Sequence, residues 1–382
     1  MRLGFQKQKG EHAPDYFLMF IILFLFVFGF VMILSASSVH SFENFGNNYY
    51  YFYHQVLYGG IPGLIAFFVL SKIDYHKYQR WALPLFALSV FALILVLLTS
   101  PTLNGAQRWI SIGPVLFQPT EIVKFSLILY LSAWFAKVGP EVKTWKKGLF
   151  PFLAVVGIVS ALLLRQPDLG SLIITTIISI SLYFVAGASM WHLTIMGIGG
   201  AGALGYLISI APYRVARLTV FLNPDLDPQG AGYQINQALL AIGTGGLFGL
   251  GLGKSRQKYN YLPEATTDSI FAIISEELGL IRAVMVIGLF VLVAWRGYRI
   301  ARTAPDAFGR YLATGITTWL VFQALMNMAA ITGLMPLTGI PLPFISYGSS
   351  ALIVALAGSG ILLNISRYTH VRPTRTTTVT SL

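Results

Sequence analysis

The sequence predicts an all-α, polytopic integral membrane protein with ten transmembrane helices. Of its 382 residues, 55% are hydrophobic and only 10% charged, well below the roughly 25% charged residues usual in soluble domains. Its mean hydropathy is +0.70, and its apolar residues gather in blocks near the roughly 20 residues that a helix needs to cross the hydrocarbon. The net charge of +12 does not argue for nucleic acid, because Lys and Arg are dispersed among short loops between apolar runs, where they encode orientation. With no cysteine, disulfides and thiolate metal sites are excluded and the redox compartment stays open.

The apolar runs fall near 16–36, 55–71, 81–99, 118–135, 149–164, 171–187, 191–210, 269–294, 311–333 and 348–366. The first is longer than a signal-peptide core; Ser35-Ala36-Ser37 could mimic a cleavage site, but Asp15 and the aromatic run suit a retained helix. An even number of spans puts both termini on one side. Arg2, Lys7 and Lys9 before the first run, and Arg367, Arg372 and Arg375 after the last, make that side cytoplasmic. The intervening inside loops carry Lys72, Lys77 and Arg80; Lys137, Lys143, Lys146 and Lys147; and Arg296, Arg299, Arg302 and Arg310. The expected layout is one membrane domain: a tail 1–15, helices 1–7 over 16–210, a large extracytoplasmic loop 211–268, helices 8–10 over 269–366, and a tail 367–382.

The loop 211–268 carries Arg214, Arg217, Lys254, Arg256 and Lys258 on the outer side. Long loops escape the orientation rule, and gathered basic residues suit an anionic group such as phosphate, or merely a solvated surface. Asn223 to Gly230 reads as turn chemistry, its acids structural. Ile235 to Ile242 is apolar at helical spacing but too short to span, which suggests a re-entrant or interfacial helix ending in a flexible glycine-rich turn over 243–253. Those glycines follow no strand and lack the P-loop ending, so a nucleotide site has no support. Neither do zinc chemistry, for want of a His cluster, nor a nucleophile elbow.

Asp268 is the last acid before an apolar run, so a helix beginning at Thr267 or Asp268 would hold its carboxylate at the bilayer edge. A plain helix cap is the alternative. Glu121 and Lys124, three apart on one helix face, are costly in hydrocarbon unless they face the bundle interior or a wet cavity. They suit an intramembrane clamp between helices or the polar wall of an outward-facing substrate cavity, two readings that are compatible. Arg108 lies beside Trp109, suited to a lipid phosphate or to anchoring, and Asp168 suits the N-cap of the sixth span. The loop before the last span, with Pro336, Pro341 and Pro343, suits a rigid outer wall.

The chain resembles the FtsW/RodA (SEDS) family of ten-helix peptidoglycan glycosyltransferases. The resemblance rests on NGAQRWI at 104–110, FQPTEIVKF at 117–125, RQPDLGS at 165–171, GYQINQALLAIGTGG at 232–246, YLPEATTDSIFA at 261–272, EELG at 276–279 and PLPFISYGSS at 341–350. SAS at 35–37 and PYR at 212–214 look more like the cell-division branch, FtsW. The resemblance implies a SEDS-type fold whose large extracellular loop joins helices 7 and 8. It further implies polymerisation of lipid II at the outer face of the cytoplasmic membrane, at the division septum, with release of undecaprenyl pyrophosphate. Asp268 would be the general base on the acceptor 4-hydroxyl and the helix N-cap together, the cap orienting its carboxylate. Arg108, Glu121, Lys124, Arg214, Lys258 and Glu264 are the candidate substrate-binding residues. A divalent cation, Mg²⁺ or Mn²⁺, and no organic cofactor is expected. The expected partners are a class B penicillin-binding protein (an FtsI-type transpeptidase), other division-machinery membrane proteins and membrane lipids, with no nucleic acid.

Three positions depart from the family pattern: Thr266, Ser269 and Arg282 stand where His, Phe and Gly are usual. Arg282 needs an acidic or aqueous partner, for which Glu276 and Glu277 are candidates by spacing, or else it snorkels to the interface. The competing readings are a transporter or flippase of a lipid-linked precursor, built like other bundles with broken helices, and a non-catalytic division scaffold.

Overall fold

A computed structural model describes residues 12–99, 108–113, 115–210, 212–227 and 230–369. Arg2, Lys7, Lys9, Arg372 and Arg375 of the two tails, Asn104 to Gln107, and Pro228 and Gln229 of the 223–230 turn lie outside the described residues. Each of the ten predicted apolar runs coincides with a helix. Nine of these helices, among the described residues, are long and apolar enough to cross a membrane; the tenth, Leu169–Val185, is shorter. Lipid-facing positions carry Phe20, Leu88, Phe91 and Ile198, all exposed, as expected where acyl chains rather than water are the solvent.

The helix Ala307–Ile331 is enclosed by its neighbours, packing against Pro119–Val138, Leu169–Val185 and Ile270–Thr303. Its buried face mixes apolar residues with Thr314, Thr317, Thr318, Gln323 and Asn327. Such an enclosed helix needs no apolar stripe, because every side meets protein. Ser349–Ser366 packs on Ile61–Leu70 and, with the proline-rich segment before it, closes the bundle. Gly29 of the first helix lets that segment approach, since a Cβ there would lie 2.3 Å from the Phe344 carbonyl oxygen.

Both described ends lie at one face. The His12 N–H donates to the Arg367 carbonyl (2.9 Å), and the Asp15 N–H to the Ser366 hydroxyl (3.0 Å). Asp15 caps the first helix by accepting from the Leu18 N–H (3.0 Å), and Asp168 caps Leu169–Val185 through the Ser171 N–H (3.1 Å), as its position suggests.

Several boundaries differ from the sequence expectation. The first helix runs on to Phe45, its Ser37 and Ser41 buried rather than marking an end. The next begins at Tyr50 and passes through a wide turn at Val56–Gly60. A short antiparallel ribbon, Ile110–Ile112 with Val115–Phe117, interrupts the all-helical pattern; its strands are too short for a period to be read. The 211–268 segment holds the helix Pro212–Leu222, a single turn at Pro224–Leu226 and the helix Ala231–Gly245. The 223–230 turn is closed locally as expected, with Asp227 accepting from the Gly230 N–H (3.0 Å).

Candidate active site

Asp268 ends a tight turn. The Thr267 and Ser269 N–H groups both donate to the Glu264 carbonyl (3.1 Å each), and Glu264 itself has φ of 52°, a left-handed conformation that costs a non-glycine residue roughly 1–2 kcal/mol. The helix begins at Ile270, two or three residues later than expected, with Ser269 in the capping position and no side-chain capping bond. Asp268 is therefore not the helix cap. Its carboxylate is left for other partners, of which the Thr267 hydroxyl is one (3.3 Å).

Three bonds fix the turn from the protein side. The buried Asn327 amide donates to the Asp268 carbonyl (2.7 Å) and to the Ile340 carbonyl (2.8 Å). Ser346 donates to the Thr267 carbonyl, and the Tyr347 N–H donates to the Thr266 carbonyl (2.9 Å). The proline-rich segment is thus a wall against the turn. Gly339 lies beside the carboxylate, a Cβ there being 3.9 Å from Asp268 Oδ2. Ser269 is buried and accepts from the Gln234 amide (3.0 Å), which gives that departure a polar partner on the loop helix.

Burial raises the Asp268 pKa from its ordinary 3.8 to about 7; the Glu264 charge adds to the rise, while its own backbone N–H, the Thr267 hydroxyl and Arg217 oppose it. A partly buried carboxylate poised near neutrality can take a proton from a substrate hydroxyl and release it again. Glu264 also accepts from the Thr267 hydroxyl (2.6 Å), so this hydroxyl lies between the two carboxylates.

The other predicted residues sit in different surroundings. Glu121 and Lys124 form a fully enclosed ion pair (2.9 Å). Lys124 also donates to Gln323 (2.7 Å), which accepts from Trp319 (2.8 Å) and donates to the Pro341 carbonyl (3.0 Å). The pair is enclosed by protein, and through Gln323 it reaches the wall beside Asp268. Arg108 donates to the Gln166 carbonyl (3.1 Å) and to the Pro167 carbonyl, closing the C-terminal end of the helix Phe150–Arg165. Arg214 donates to the Leu207 carbonyl (2.7 Å). Lys258 is buried, donating to the Gly253 carbonyl (2.6 Å) and to Glu277 (3.3 Å). Arg217, by contrast, is exposed near Asp268.

Glu276 and Glu277 do not pair with Arg282. Glu276 accepts from the Ser255 hydroxyl and the Arg256 N–H (2.9 Å). Glu277 accepts from Ser35 (2.7 Å) and the Ser255 N–H (3.2 Å). Arg282 donates instead to the Phe248 and Leu278 carbonyls (2.9 Å each). These carbonyls are available because the helix breaks at Gly279, where φ is 83° and ψ 169°.

The glycine-rich turn is likewise packed rather than free. The Leu250 and Gly251 N–H groups donate to the Glu276 (3.0 Å) and Glu277 (2.9 Å) carbonyls, and the Leu280 N–H donates to the Gly246 carbonyl (2.9 Å). Backbone lies on backbone, which is why glycine recurs there. Spacing alone does not distinguish a tight packed turn from a mobile one. Nor does it mark Asn327, Gln323 or Ser346 as neighbours of Asp268, since each lies more than fifty residues along the chain.

A helical membrane bundle with one activated carboxylate at the opposite end from its termini defines a class: membrane-embedded transferases and transporters that act at one face. The comparisons identify the particular family. Residues 16–371 match the FtsW, RodA and SpoVE family model, described as "Cell cycle protein", and the chain belongs to that family. It is 42% identical over 361 residues to "Stage V sporulation protein E" of Bacillus subtilis, covering 94% of this chain and 98% of that one. It is 41% identical over 354 residues to "Probable peptidoglycan glycosyltransferase FtsW" of Geobacter sp. strain M18, covering 92% and 96%. A chain from a structure titled "Structural coordination of polymerization and crosslinking by a peptidoglycan synthase complex" superposes with a TM-score of 0.77 at 28% identity, covering 93% of this chain and 98% of that one. The crystal structure of Thermus thermophilus rod shape determining protein RodA superposes at 0.69 with 29% identity, covering 94% and 99%.

Proposed function

We propose that this chain is a peptidoglycan glycosyltransferase that polymerises lipid II into glycan strands at the outer face of the cytoplasmic membrane, during septal wall synthesis. The observation that carries this reading is Asp268: a partly buried carboxylate with a pKa of about 7, fixed from behind by Asn327 and Ser346 on a chain whose relatives bear this activity in their names. An outer position for the Asp268 end is part of this proposal; it is supported by the basic residues of the loops at the opposite face, on the positive-inside rule.

In this mechanism Asp268 accepts the proton of the acceptor 4-hydroxyl as that oxygen attacks the anomeric carbon of the donor. The anomeric centre inverts and the undecaprenyl pyrophosphate departs. One base suffices for a single inversion, and its ionised fraction sets the rate. The clamp Glu121–Lys124–Gln323 and the carbonyl-bound Arg108, Arg214 and Lys258 act as positioning residues that hold the surrounding wall. Exposed Arg217 is the cation offered to the pyrophosphate, in line with its electrostatic reach to Asp268.

A Mg²⁺ or Mn²⁺ ion fits the donors present. Among the described residues no group of three or more acidic or histidine side chains forms a metal cage, but Mg²⁺ commonly uses only one or two carboxylates together with substrate phosphates. Glu264 and Asp268, joined through Thr267, are hard oxygen donors of that kind, and the ion would supply charge neutralisation for the leaving group. A class B penicillin-binding protein is the proposed partner, in line with the synthase complex among the structural neighbours.

The test is glycan polymerisation by the purified chain with its full-length transpeptidase partner, lipid II and Mg²⁺, beside Asp268→Asn. Polymer from the native protein and at least a hundredfold less from the variant is the expected result. Equal polymer from both would sink the role of Asp268, and lipid flipping without polymer would replace the enzyme reading with a transporter.

A further inference from the structure

A well-formed cavity lies not at Asp268 but at the face that carries the chain ends. It measures about 650 Å³ and is lined by the segment His12–Phe17, the end of the long helix around Arg296, Arg299 and Arg302, and Ser366 and Thr369. Nothing in the proposed transfer chemistry uses these residues. From the break at Gly279 to Arg299 the helix rises about 30 Å at 1.5 Å per residue, close to the hydrocarbon thickness of a bilayer. The cavity therefore lies at the headgroup level of the opposite leaflet.

One wall is rigid. Arg296 donates through Nε (2.8 Å) and Nη2 (2.6 Å) to Asp15, and its guanidinium lies 5.5 Å from the Phe17 ring and 5.2 Å from the Trp295 ring. Asp15 is the only carboxylate in the lining, and it is already spent on Arg296 and on capping the first helix. The hydroxyls are occupied too: Thr303 donates to the Arg299 carbonyl (2.9 Å) and Ser366 to the Leu363 carbonyl (2.6 Å).

Arg299 and Arg302 share the helix face of Arg296, are exposed, and have no ion-pair partner among the described residues. The helix terminus favours cations there, yet like charges three apart repel, and an anion between them would relieve this. Phe17 of the lining and Trp295 beside Arg296 are both exposed, as aromatic side chains are at a membrane interface.

We propose that this cavity binds a phosphate oxyanion through Arg299 and Arg302, with Arg296 and Asp15 as its fixed wall, and that its occupant is the headgroup of an anionic membrane lipid. Guanidinium groups recognise phosphate in bidentate fashion, and basic pockets between helices on the inner side suit such headgroups. The aromatic rim and the depth of the cavity favour lipid over soluble phosphate.

The experiment is native mass spectrometry of the full chain exchanged into mixed phosphatidylglycerol and phosphatidylcholine, together with thermal unfolding on addition of each lipid or of inorganic phosphate at constant ionic strength. The native protein should retain phosphatidylglycerol over phosphatidylcholine and melt higher in its presence. The variant Arg299→Gln/Arg302→Gln should retain at least threefold less, whereas Arg310→Gln, outside the cavity, should match the native protein. Arg299→Lys/Arg302→Lys should be intermediate, because it keeps charge and loses the bidentate fork. Protection by inorganic phosphate alone would overturn the lipid assignment. Equal retention by the double glutamine and native proteins would overturn the site itself.

Discussion

Asn327 spends both hydrogens of one amide nitrogen on two backbone carbonyls, that of Asp268 at 2.7 Å and that of Ile340 at 2.8 Å. The residue that bears the candidate base and the proline-rich wall opposite are therefore held by a single side chain of the enclosed helix Ala307–Ile331. Asn327→Leu, of similar volume, removes both donors and leaves buried carbonyls unpaired, at about 1–3 kcal/mol each. The expected outcome is a lower melting temperature and a loss in kcat larger than any rise in KM, because the base loses its placement rather than the substrate its contacts. Unchanged kcat in a protein of unchanged stability would remove Asn327 from the site.

The ten helices were legible because a bilayer imposes length and apolarity on every span, and both survive in a single sequence. Asp268 was legible as the acid at the end of a polar approach. Its supports were not, because Asn327, Gln323 and Ser346 are ordinary polar residues within apolar stretches, brought to the turn by the packing of distant helices. The misplaced expectations share a cause. Arg282 with Glu276 and Glu277, and Asp268 with its helix, were paired by spacing along an ideal helix, whereas the helix starts at Ile270 and breaks at Gly279.

The pKa of about 7 at Asp268 predicts an activity that depends on its ionised form. kcat/KM should rise roughly tenfold per pH unit below about 7 and level off above it. Glu264→Gln removes a like charge and should move this limb to lower pH; Arg217→Ala removes an opposite charge and should move it higher. pH–rate profiles of the three proteins check both signs.

Stability runs the other way. Because the folded-state pKa lies above the ordinary 3.8, the folded protein holds this proton between about 4 and 7 while the unfolded chain has lost it. The contribution is fully present below the lower value and is lost as pH rises through the folded value. Asp268→Asn should therefore raise the melting temperature at pH 8 and do so less at pH 5, while lowering polymerisation at both. Melting curves at the two values decide it.

The pair Glu121–Lys124 is enclosed on all sides, so breaking it is costlier than removing it. Lys124→Met leaves a carboxylate without its cation, and removing one partner of a buried pair costs about 3–5 kcal/mol. Glu121→Gln/Lys124→Met should recover much of that stability in a thermal melt. If the double variant is stable and still polymerises, the pair is a clamp; if it is stable and inactive, the pair also shapes the wall that Gln323 links to Pro341.

Gly279 is the position where backbone geometry leaves least choice. Its φ of 83° disfavours any side chain, and a Cβ would lie 2.4 Å from the Gly249 nitrogen and 2.5 Å from the Leu247 carbonyl oxygen. Both are backbone atoms held by the bonds that join the glycine-rich turn to the helix break, so neither can yield without the other. Gly279→Ala should separate that turn from Glu276 and Glu277, freeing the carbonyls that the Leu250 and Gly251 N–H groups now satisfy. Several buried bonds fail together, and the expected result is a protein that does not accumulate or melts far below the native one. Arg282→Ala, one turn further, removes only two exposed bonds to carbonyls and should cost about 1 kcal/mol or less. Comparing the two by expression level and melting temperature separates the helix break, which the fold needs, from the arginine that fills in beside it. Similar losses from both would mean that Arg282 holds the break open.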